Sequence, residues 1–177
     1  MTLIYEPAED SHLLSGVLEK EISSLLDLNS NLKVLEIGIG SGIQLRKLKE
    51  FGVKNISGVD INPEAVKKSK DLGLNVWESD LFSRVKEKYD LIIFNPPYLP
   101  KTENEDEESE LITTGGNEGS EIINEFLKQA KEHLEKDGKI FLLISDLTKG
   151  INWLNCKKRL IDEKKLFFEK LEVWELS

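Results

Sequence analysis

The chain has 177 residues, 39% of them hydrophobic, and a formal net charge of -9. This length suits one domain, which we place over residues 1–177, and the negative field disfavours phosphate backbones as partners, so we expect no stable nucleic-acid binding. The single cysteine, Cys156, excludes an intramolecular disulfide and a cysteine-built zinc site, and we expect no metal site. Neither a bilayer-spanning apolar run nor a basic-then-apolar leader is present, so we expect no membrane association and a cytoplasmic protein.

Apolar residues at helical spacing begin close to the N-terminus. Leu14, Val17, Leu18 and Ile22 recur on one face. Asp10 or Ser11 could cap the segment, because both residue types accept hydrogen bonds from the first backbone N–H groups. The pattern predicts a helix over residues 11–26 that packs on the core.

The rest of the chain alternates β-prone and helical patterns. Strands are predicted at residues 33–37, 56–60, 75–78, 89–94, 139–145, 156–162 and 167–176. Helices are predicted up to Phe51, over residues 63–71 and over residues 120–135. The alternation predicts an α/β fold: a doubly wound, mostly parallel seven-stranded sheet with helices on both faces and a C-terminal antiparallel hairpin.

Two segments are less clearly patterned. The stretch between Cys156 and Asp162 could finish a helix, but we favour a strand, because residues 163–165 are short and polar enough to turn into the last strand. Residues 103–110 are strongly acidic and lack an apolar pattern, which predicts a loop.

Three glycines at alternate positions follow the first strand. Gly38, Gly40 and Gly42 come directly after Glu36 and Ile37, and they would let a ligand lie against bare backbone at a helix N-terminus. A dinucleotide fingerprint would need glycine at position 43, where the chain has isoleucine. A plain tight turn is the alternative interpretation.

Acidic residues follow the next two strands, where ligands bind in open α/β sheets. Asp60 lies about twenty residues after the glycine loop, the usual place for an acid that binds a ribose hydroxyl pair. Asp80 could accept from an adenine amine and Leu81 could pack on the ring. Each acid could instead be a turn or cap residue, but the three strand ends together form the pattern of class I methyltransferases.

The sequence Asn95-Pro96-Pro97-Tyr98 ends the most apolar strand. An amide or aromatic amine attacks a sulfonium methyl poorly unless acceptors hold its hydrogens, and the Asn95 side-chain oxygen and the Pro96 carbonyl can be those acceptors. The prolines restrict both acceptors to extended backbone, and the Tyr98 ring offers a face to a planar group. Catalysis would then rest on orientation and electrostatics without a nucleophilic residue. A proline-stiffened turn is the alternative interpretation.

The N-terminal letters YEPAEDS, residues 5–11, resemble the YEPAEDT signature of HemK-like methyltransferases that modify class 1 translation release factors, in the archaeal and eukaryotic branch. The resemblance extends to residues 36–42, Asp60, residues 80–82, residues 95–98 and the glycines of residues 114–121. It implies methylation of the side-chain amide of the GGQ glutamine, with S-adenosylmethionine as cofactor. The cofactor contacts implied are Ser11, Glu36, Gly38, Gly40, Asp60, Asp80, Leu81 and Asn95. Ser11 replaces the usual threonine and keeps its hydroxyl.

The resemblance also implies a partner, a small zinc-binding activator subunit that pairs with the edge strand between Leu74 and Glu78. Edge pairing requires little rearrangement, because the unpaired backbone groups are already exposed. A charged, solvated edge is the alternative. The acidic loop at residues 103–110 could guide a basic substrate protein, or it could simply be solvated.

Three other functions compete with this one. An adenine amine methyltransferase poses the same chemical problem, but it must extrude its base and hold a strand, which the net charge and the short chain disfavour. Protein-lysine methylation is disfavoured because two carbonyl acceptors suit a planar amide better. A non-catalytic cofactor-binding subunit would have little reason to keep the sequence at residues 95–98.

Overall fold

A computed structural model describes residues 4–101 and 113–177. The helices are α1 (Glu9–Leu28), α2 (Ile43–Glu50), α3 (Pro63–Asp71) and α4 (Glu121–Ala130), and a short 3-10 turn (Lys131–His133) follows α4. The strands are β1 (Lys33–Ile37), β2 (Asn55–Asp60), β3 (Val76–Glu78), β4 (Tyr89–Phe94), β5 (Leu134–Ser145), β6 (Lys158–Lys165) and β7 (Lys170–Leu176). The acidic loop expected at residues 103–110 lies outside the described residues.

The seven strands form one sheet in the order β3-β2-β1-β4-β5-β7-β6. Neighbours from β3 to β5 are parallel, whereas β7 is antiparallel to both β5 and β6. The predicted fold class is therefore confirmed, including the C-terminal hairpin. The strand order reverses between β1 and β4, and in such sheets the crevice beyond the carboxyl ends at this point is the usual ligand site.

Apolar side chains alternate across β4 and supply a hydrophobic cluster on each face of the sheet. Leu91 and Ile93 pack with α1, α2 and α3 on one face. Ile92 and Phe94 pack on the other face with α4, where the rings of Phe94 and Phe126 lie 4.7 Å apart. Burial on both faces explains why this strand is a continuous apolar run.

Two predicted helix boundaries were wrong. Helix α1 begins at Glu9 and not at Ser11, its N-cap is Ala8 without a side-chain cap, and Asp10 lies in the first turn with its carboxylate used elsewhere. Helix α4 ends at Ala130, five residues before the predicted end, because Leu134 pairs with Tyr89 and already belongs to β5. Leu134 fits the apolar face of a helix and a strand equally well, so the helical spacing of apolar residues extended the predicted helix too far.

The C-terminal hairpin has the predicted strands but a different turn. Residues 163–165, predicted to turn, continue β6, where Lys165 pairs with Lys170. Phe167 and Phe168, predicted to start the last strand, form the turn instead. Strand β6 is the polar outer edge of the sheet and carries no apolar alternation that would have marked its end.

Gly58 in β2 lies close to Ile39 of the glycine loop and to Leu45 of α2. We expect Gly58→Ala to destabilise the fold. A Cβ there would overlap Ile39 Cγ2 and approach Leu45 Cδ1 to 2.7 Å, in a buried site. Such overpacking costs about 1–3 kcal/mol. Chemical denaturation of the variant should show this loss.

Gly16→Ala is the matched control, because a Cβ at this position in α1 meets nothing within 4 Å. It should gain about 0.5–1 kcal/mol from helix propensity. Equal effects of the two substitutions would contradict the packing argument.

Candidate functional site

A cavity of about 910 Å³ opens beyond the carboxyl ends of β1, β2, β3 and β4. All the residues that the sequence predicts for the site line this cavity: Ser11, Glu36, Gly38, Gly40, Asp60, Asp80, Leu81, Asn95, Pro96 and Tyr98. Residues from strand ends that are far apart in the chain therefore meet as the parallel-sheet prediction requires.

The glycine loop after β1 is bound to Asp60 at the end of β2. Gly38 and Gly40 both have positive φ, 67° and 47°, a conformation that glycine adopts without strain. Gly40 N donates to Asp60 Oδ2 at 2.9 Å, and Asn62 N donates to Asp60 Oδ1 at 2.8 Å. Burial raises the pKa of Asp60, and these N–H donors act in the opposite direction. Each carboxylate oxygen has a second lone pair, so the group can still accept from a ligand hydroxyl.

Glu36, the penultimate residue of β1, holds a buried carboxyl with an unpaired oxygen. Oε2 has no hydrogen-bond partner among the described residues. Burial, followed by the nearby Asp60 carboxylate, raises the pKa of Glu36 well above its ordinary value, and the Leu45 N–H opposes this. An unsatisfied buried acceptor is costly, so the site suits a ligand that brings a cation or an N–H or O–H donor.

Asp80 and Leu81 follow β3 at the cavity wall. Asp80 is exposed and Leu81 is half-buried, with a positive φ of 44°. Ser79 Oγ donates to the Leu81 carbonyl at 2.9 Å and holds this turn. An exposed acceptor beside an apolar side chain can serve a ring that carries an amine.

Asn95 lies directly after β4, and only one of the two polar atoms of its side-chain amide is hydrogen-bonded within the described residues. Its Nδ2 donates to Asp10 Oδ2 at 2.9 Å, whereas its Oδ1 is buried without a partner among the described residues. The Asp10 carboxylate can only accept, so it selects the orientation in which the oxygen of Asn95 remains available. The site therefore presents a fixed, unused acceptor.

Sequence reasoning considered Asp10 only as a possible helix cap and gave it no role in the site, although the residue lies within the YEPAEDS letters. Its carboxylate is 3% exposed and also accepts from Tyr5 Oη at 2.9 Å and from Ser11 N at 2.6 Å. The contact with Asn95 spans 85 positions of sequence, which no local pattern can reveal.

Gln44 was also missed, and it fixes the backbone at Ser11. Its Nε2 donates to the Ser11 carbonyl at 2.8 Å, and its Oε1 accepts from Ser15 Oγ at 2.8 Å. The available signal was its position four residues before Leu48, on the apolar face of an otherwise charged helix. Ser11 is itself buried and is thus held at the cavity wall from both sides.

Tyr98 ends the turn after β4 as a neutral phenol. Burial, then the Asp10 carboxylate, raises its pKa above the ordinary value, and the same two causes raise the pKa of Tyr5. Thr148 Oγ1 donates to the Tyr98 carbonyl at 2.9 Å and anchors the turn to the segment after β5. The phenols of Tyr5 and Tyr98 are therefore both uncharged at physiological pH.

Fold and site together define a methyltransferase of the Rossmann-like class. The family model described as "Methyltransferase small domain" matches residues 11–159. The chain belongs to this family and, by the relatives given next, to its HemK-like branch, which confirms the resemblance seen in the sequence.

Relatives across the domains of life support this placement. A Methanocaldococcus jannaschii protein named as a protein N5-glutamine methyltransferase is 41% identical over 165 residues, covering 89% of this chain and 80% of the relative. The eRF1 methyltransferase catalytic subunit of Schizosaccharomyces pombe is 35% identical over 166 residues, with coverage of 79% and 71%. Human methyltransferase HEMK2 is 30% identical over 154 residues, with the same coverage.

Solved structures support the fold alone. The ribosomal protein L11 methylase of Lactobacillus delbrueckii has a TM-score of 0.64 at 17% identity, covering 97% of this chain and 80% of that one. A methyltransferase of Clostridium acetobutylicum described as S-adenosylmethionine-dependent has a TM-score of 0.53 at 16% identity, covering 92% and 73%. None of the helices in the described part of the chain has the length and apolar character to cross a membrane.

We expect Glu36→Gln to stabilise the protein without ligand. Below the ordinary pKa of 4.5 the carboxyl is neutral whether folded or unfolded. As the pH rises from there towards the raised folded-state pKa, the folded protein retains a proton that the unfolded chain has lost, so stability falls. The amide removes this penalty. A gain of about 1 kcal/mol raises Tm by about 2–4 °C in a domain of this size.

Calorimetric scans at pH 4.5 and pH 8 measure this effect, and the gain in Tm should be larger at pH 8. The exposed Glu19→Gln in α1 is the control and should change Tm little at either pH. An equal gain at both pH values would refute the buried charge as its cause.

Proposed function

We propose that this protein transfers a methyl group from S-adenosylmethionine to the side-chain amide nitrogen of the GGQ glutamine of a class 1 translation release factor. The observation that carries the proposal is the buried Asn95 Oδ1, an acceptor without a partner, aimed by the Asp10 carboxylate. The names of the relatives support the substrate: protein N5-glutamine methyltransferase, eRF1 methyltransferase catalytic subunit and, in Streptococcus pneumoniae, release factor glutamine methyltransferase.

The cavity residues fit the cofactor. The bare backbone at Gly38 and Gly40 leaves room for a ligand against the loop, and the unpaired Glu36 Oε2 suits a cationic or donor-bearing one. Asp60 would bind the ribose hydroxyls, Asp80 and Leu81 would bind the adenine, and Ser11 and Asn95 would complete the pocket. When bound, S-adenosylmethionine supplies an electrophilic methyl group on a sulfonium sulfur.

Asn95 and Pro96 would prepare the amide nitrogen for attack. Amide resonance withdraws its lone pair, and two acceptors that hold both N–H groups favour the pyramidal nitrogen whose lone pair is available. Asn95 Oδ1 and the Pro96 carbonyl are the proposed acceptors, and the Tyr98 ring would pack against the planar group. The nitrogen would form a bond to the methyl carbon as the sulfonium S–C bond breaks, the sulfur would leave as the neutral thioether S-adenosylhomocysteine, and the nitrogen would lose one proton to solvent. A preorganised pair of acceptors does not need to reorient during the reaction.

Asp10 would act as a positioning residue. A rotated Asn95 amide would direct N–H groups at the substrate N–H groups, and the Asp10 carboxylate opposes this rotation because it cannot donate. Tyr5 Oη and Ser11 N hold the carboxylate in place at 2.9 Å and 2.6 Å.

The edge strand β3 suits the proposed zinc-binding activator subunit. Strand β3 is the outer strand of the sheet and pairs with β2 on one side. Its other side offers backbone groups for pairing with a second protein.

We further propose that the chain works as one methyltransferase domain in the cytoplasm, where release factors act.

The proposed function is tested with methyl-labelled S-adenosylmethionine and a class 1 release factor, with and without the activator. A release factor changed from GGQ to GGA and a set of oligonucleotides are the controls. We expect label only on the intact GGQ factor. Label on an oligonucleotide or on the GGA factor would overturn the assigned acceptor.

Two substitutions separate chemistry from cofactor binding. Asn95→Ala should abolish transfer and leave S-adenosylmethionine affinity largely intact, because it removes an acceptor for the substrate amide. Asp60→Ala should mainly weaken cofactor binding, because it removes the ribose acceptor and the support of Gly40. Calorimetric titration together with the methyl-transfer assay would contradict these assignments if the two roles were reversed.

Asp10→Asn tests the positioning role. Its amide can donate to Asn95 and permits the rotated orientation, so kcat should fall about 100-fold, the loss expected when one preorganised group is misplaced, while cofactor Kd is kept. Tyr5→Phe is the matched control, because it removes one hydrogen bond to Asp10 but keeps the carboxylate beside Asn95. A loss for Tyr5→Phe as large as for Asp10→Asn would argue against amide orientation as the cause.

A further inference from the structure

Two adjacent phenylalanines protrude at the turn between β6 and β7. Phe167 is 91% exposed and Phe168 is 85% exposed, and their rings meet edge to face at 4.6 Å. Within the described part of the chain, only Leu28 at 85% matches this exposure among large hydrophobic side chains. An apolar pair surrounded by charged residues is typical of a surface that another molecule covers. Here the neighbours are Lys164, Lys165, Glu169 and Lys170.

The turn does not require phenylalanine. Leu166 N donates to the Glu169 carbonyl at 2.8 Å, which closes a two-residue turn with Phe167 and Phe168 at its centre. Such turns favour glycine, asparagine and aspartate, and neither phenylalanine has the positive φ of the common hairpin types. Since the rings neither form the turn nor pack in the core, their apolar surface needs another explanation.

The topology of the sheet places this turn on the cavity side. Strand β7 runs antiparallel to β5, with Leu171 opposite Ser145, so the turn lies at the edge where the parallel strands end. Leu166 and Glu169, which flank the two phenylalanines, both line the cavity, as does Leu171. The Glu169 carboxylate is also close enough to raise the pKa of Tyr98. The exposed rings therefore stand at the rim of the proposed catalytic site.

The turn is held firmly to the end of β5. Ser145 Oγ donates to Glu169 Oε2 at 2.7 Å. Asp146 N donates to the Lys170 carbonyl at 2.9 Å, and Lys170 N donates to Asp146 Oδ1 at 2.8 Å. The backbone that carries the two rings is therefore already in place before a partner binds, and aromatic side chains on such a backbone are typical binding anchors at protein interfaces.

We propose that Phe167 and Phe168 form a docking contact for the folded protein substrate, and that they bind an apolar patch beside the loop that carries the methylated glutamine. This inference rests on the proposed function. A glutamine side chain that reaches Asn95 brings the surface around its loop over the cavity rim, where the rings protrude. The rim at β6 and β7 lies at the opposite end of the strand order from β3, the strand proposed for the activator, so both proteins can bind at once.

The test compares steady-state methylation of an intact release factor by the activator-bound enzyme and by a Phe167→Ser, Phe168→Ser double variant. We expect KM for the factor to rise about 10-fold or more, as for loss of interface aromatics, with kcat and S-adenosylmethionine Kd unchanged. Tm should also stay unchanged, because both rings are exposed. A Phe167→Leu, Phe168→Leu variant should recover most of the affinity, because it restores an apolar surface.

Leu28→Ser is the matched control. Leu28 is as exposed as Phe168, but it is the last residue of α1, about 27 Å along the helix from the cavity residue Asp10. It should leave KM unchanged. An unchanged KM in the double serine variant, or an equal rise with Leu28→Ser, would overturn the docking role.

Three outcomes distinguish the docking role from dimer formation and from failure of the proposed function. If the wild-type enzyme forms a dimer in sedimentation and the double serine variant is a monomer with unchanged KM, the rings join two copies of this chain, and the docking role is wrong. If the wild-type enzyme methylates no release factor at all, the proposed function itself has failed. Methylation by the wild-type enzyme and the double variant with equal KM would overturn the docking role alone.

Discussion

The contact between the Asp10 carboxylate and the Asn95 amide joins the start of the chain to the end of its central strand. A buried carboxylate is costly without donors, and here the donors come from Tyr5, the Ser11 backbone and Asn95. When helix α1 packs on the sheet, it places the Asp10 carboxylate at the end of β4. The orientation of the Asn95 amide depends on this carboxylate. Docking of the N-terminal segment and formation of the site are therefore one structural event.

The parallel sheet supplies the rigidity on which this contact depends. Leu91, Ile92 and Ile93 are fully buried, so the strand that leads to Asn95 is fixed from both faces. The prolines at 96 and 97 then restrict the backbone that leaves the strand. Among the described residues three buried side-chain oxygens have no hydrogen-bond partner, on Glu36, Ser69 and Asn95, and those of Glu36 and Asn95 are on residues that line the cavity. The two oxygens lie on opposite sides of the strand-order reversal, and the proposed reaction uses one for the cofactor and the other for the acceptor.

The sequence predicts well those features that are encoded locally. The glycine loop, Asp60, Asp80 and the Asn95 turn each follow a β-prone run, and parallel pairing brings successive strand ends together, so this part of the cavity lining could be predicted from the sequence. The contact of Asp10 with Asn95 could not, because it joins residues 85 positions apart and leaves no periodic signal. The turn at Phe167 was missed because the polar residues 163–165 that end edge strand β6 look like a turn, whereas the two phenylalanines that form the turn look like the start of a strand.

The strand order also separates the demands that two protein partners would place on one small domain. Strand β3 is a short edge with backbone groups available for pairing, whereas the β6–β7 turn presents side chains and is tied to the end of β5. A partner that adds a strand binds mainly through backbone hydrogen bonds and depends little on side chains. A substrate, in contrast, must place its reacting amide within about an ångström of the correct position beside Asn95. An aromatic pair on a turn that is tied to the end of β5 and flanked by cavity residues meets that second demand, whereas the sheet edge at β3, two strands from β1, does not. The exposed backbone of β3 therefore suits the proposed strand pairing with the activator. The fixed turn between β6 and β7 suits the proposed positioning of the substrate.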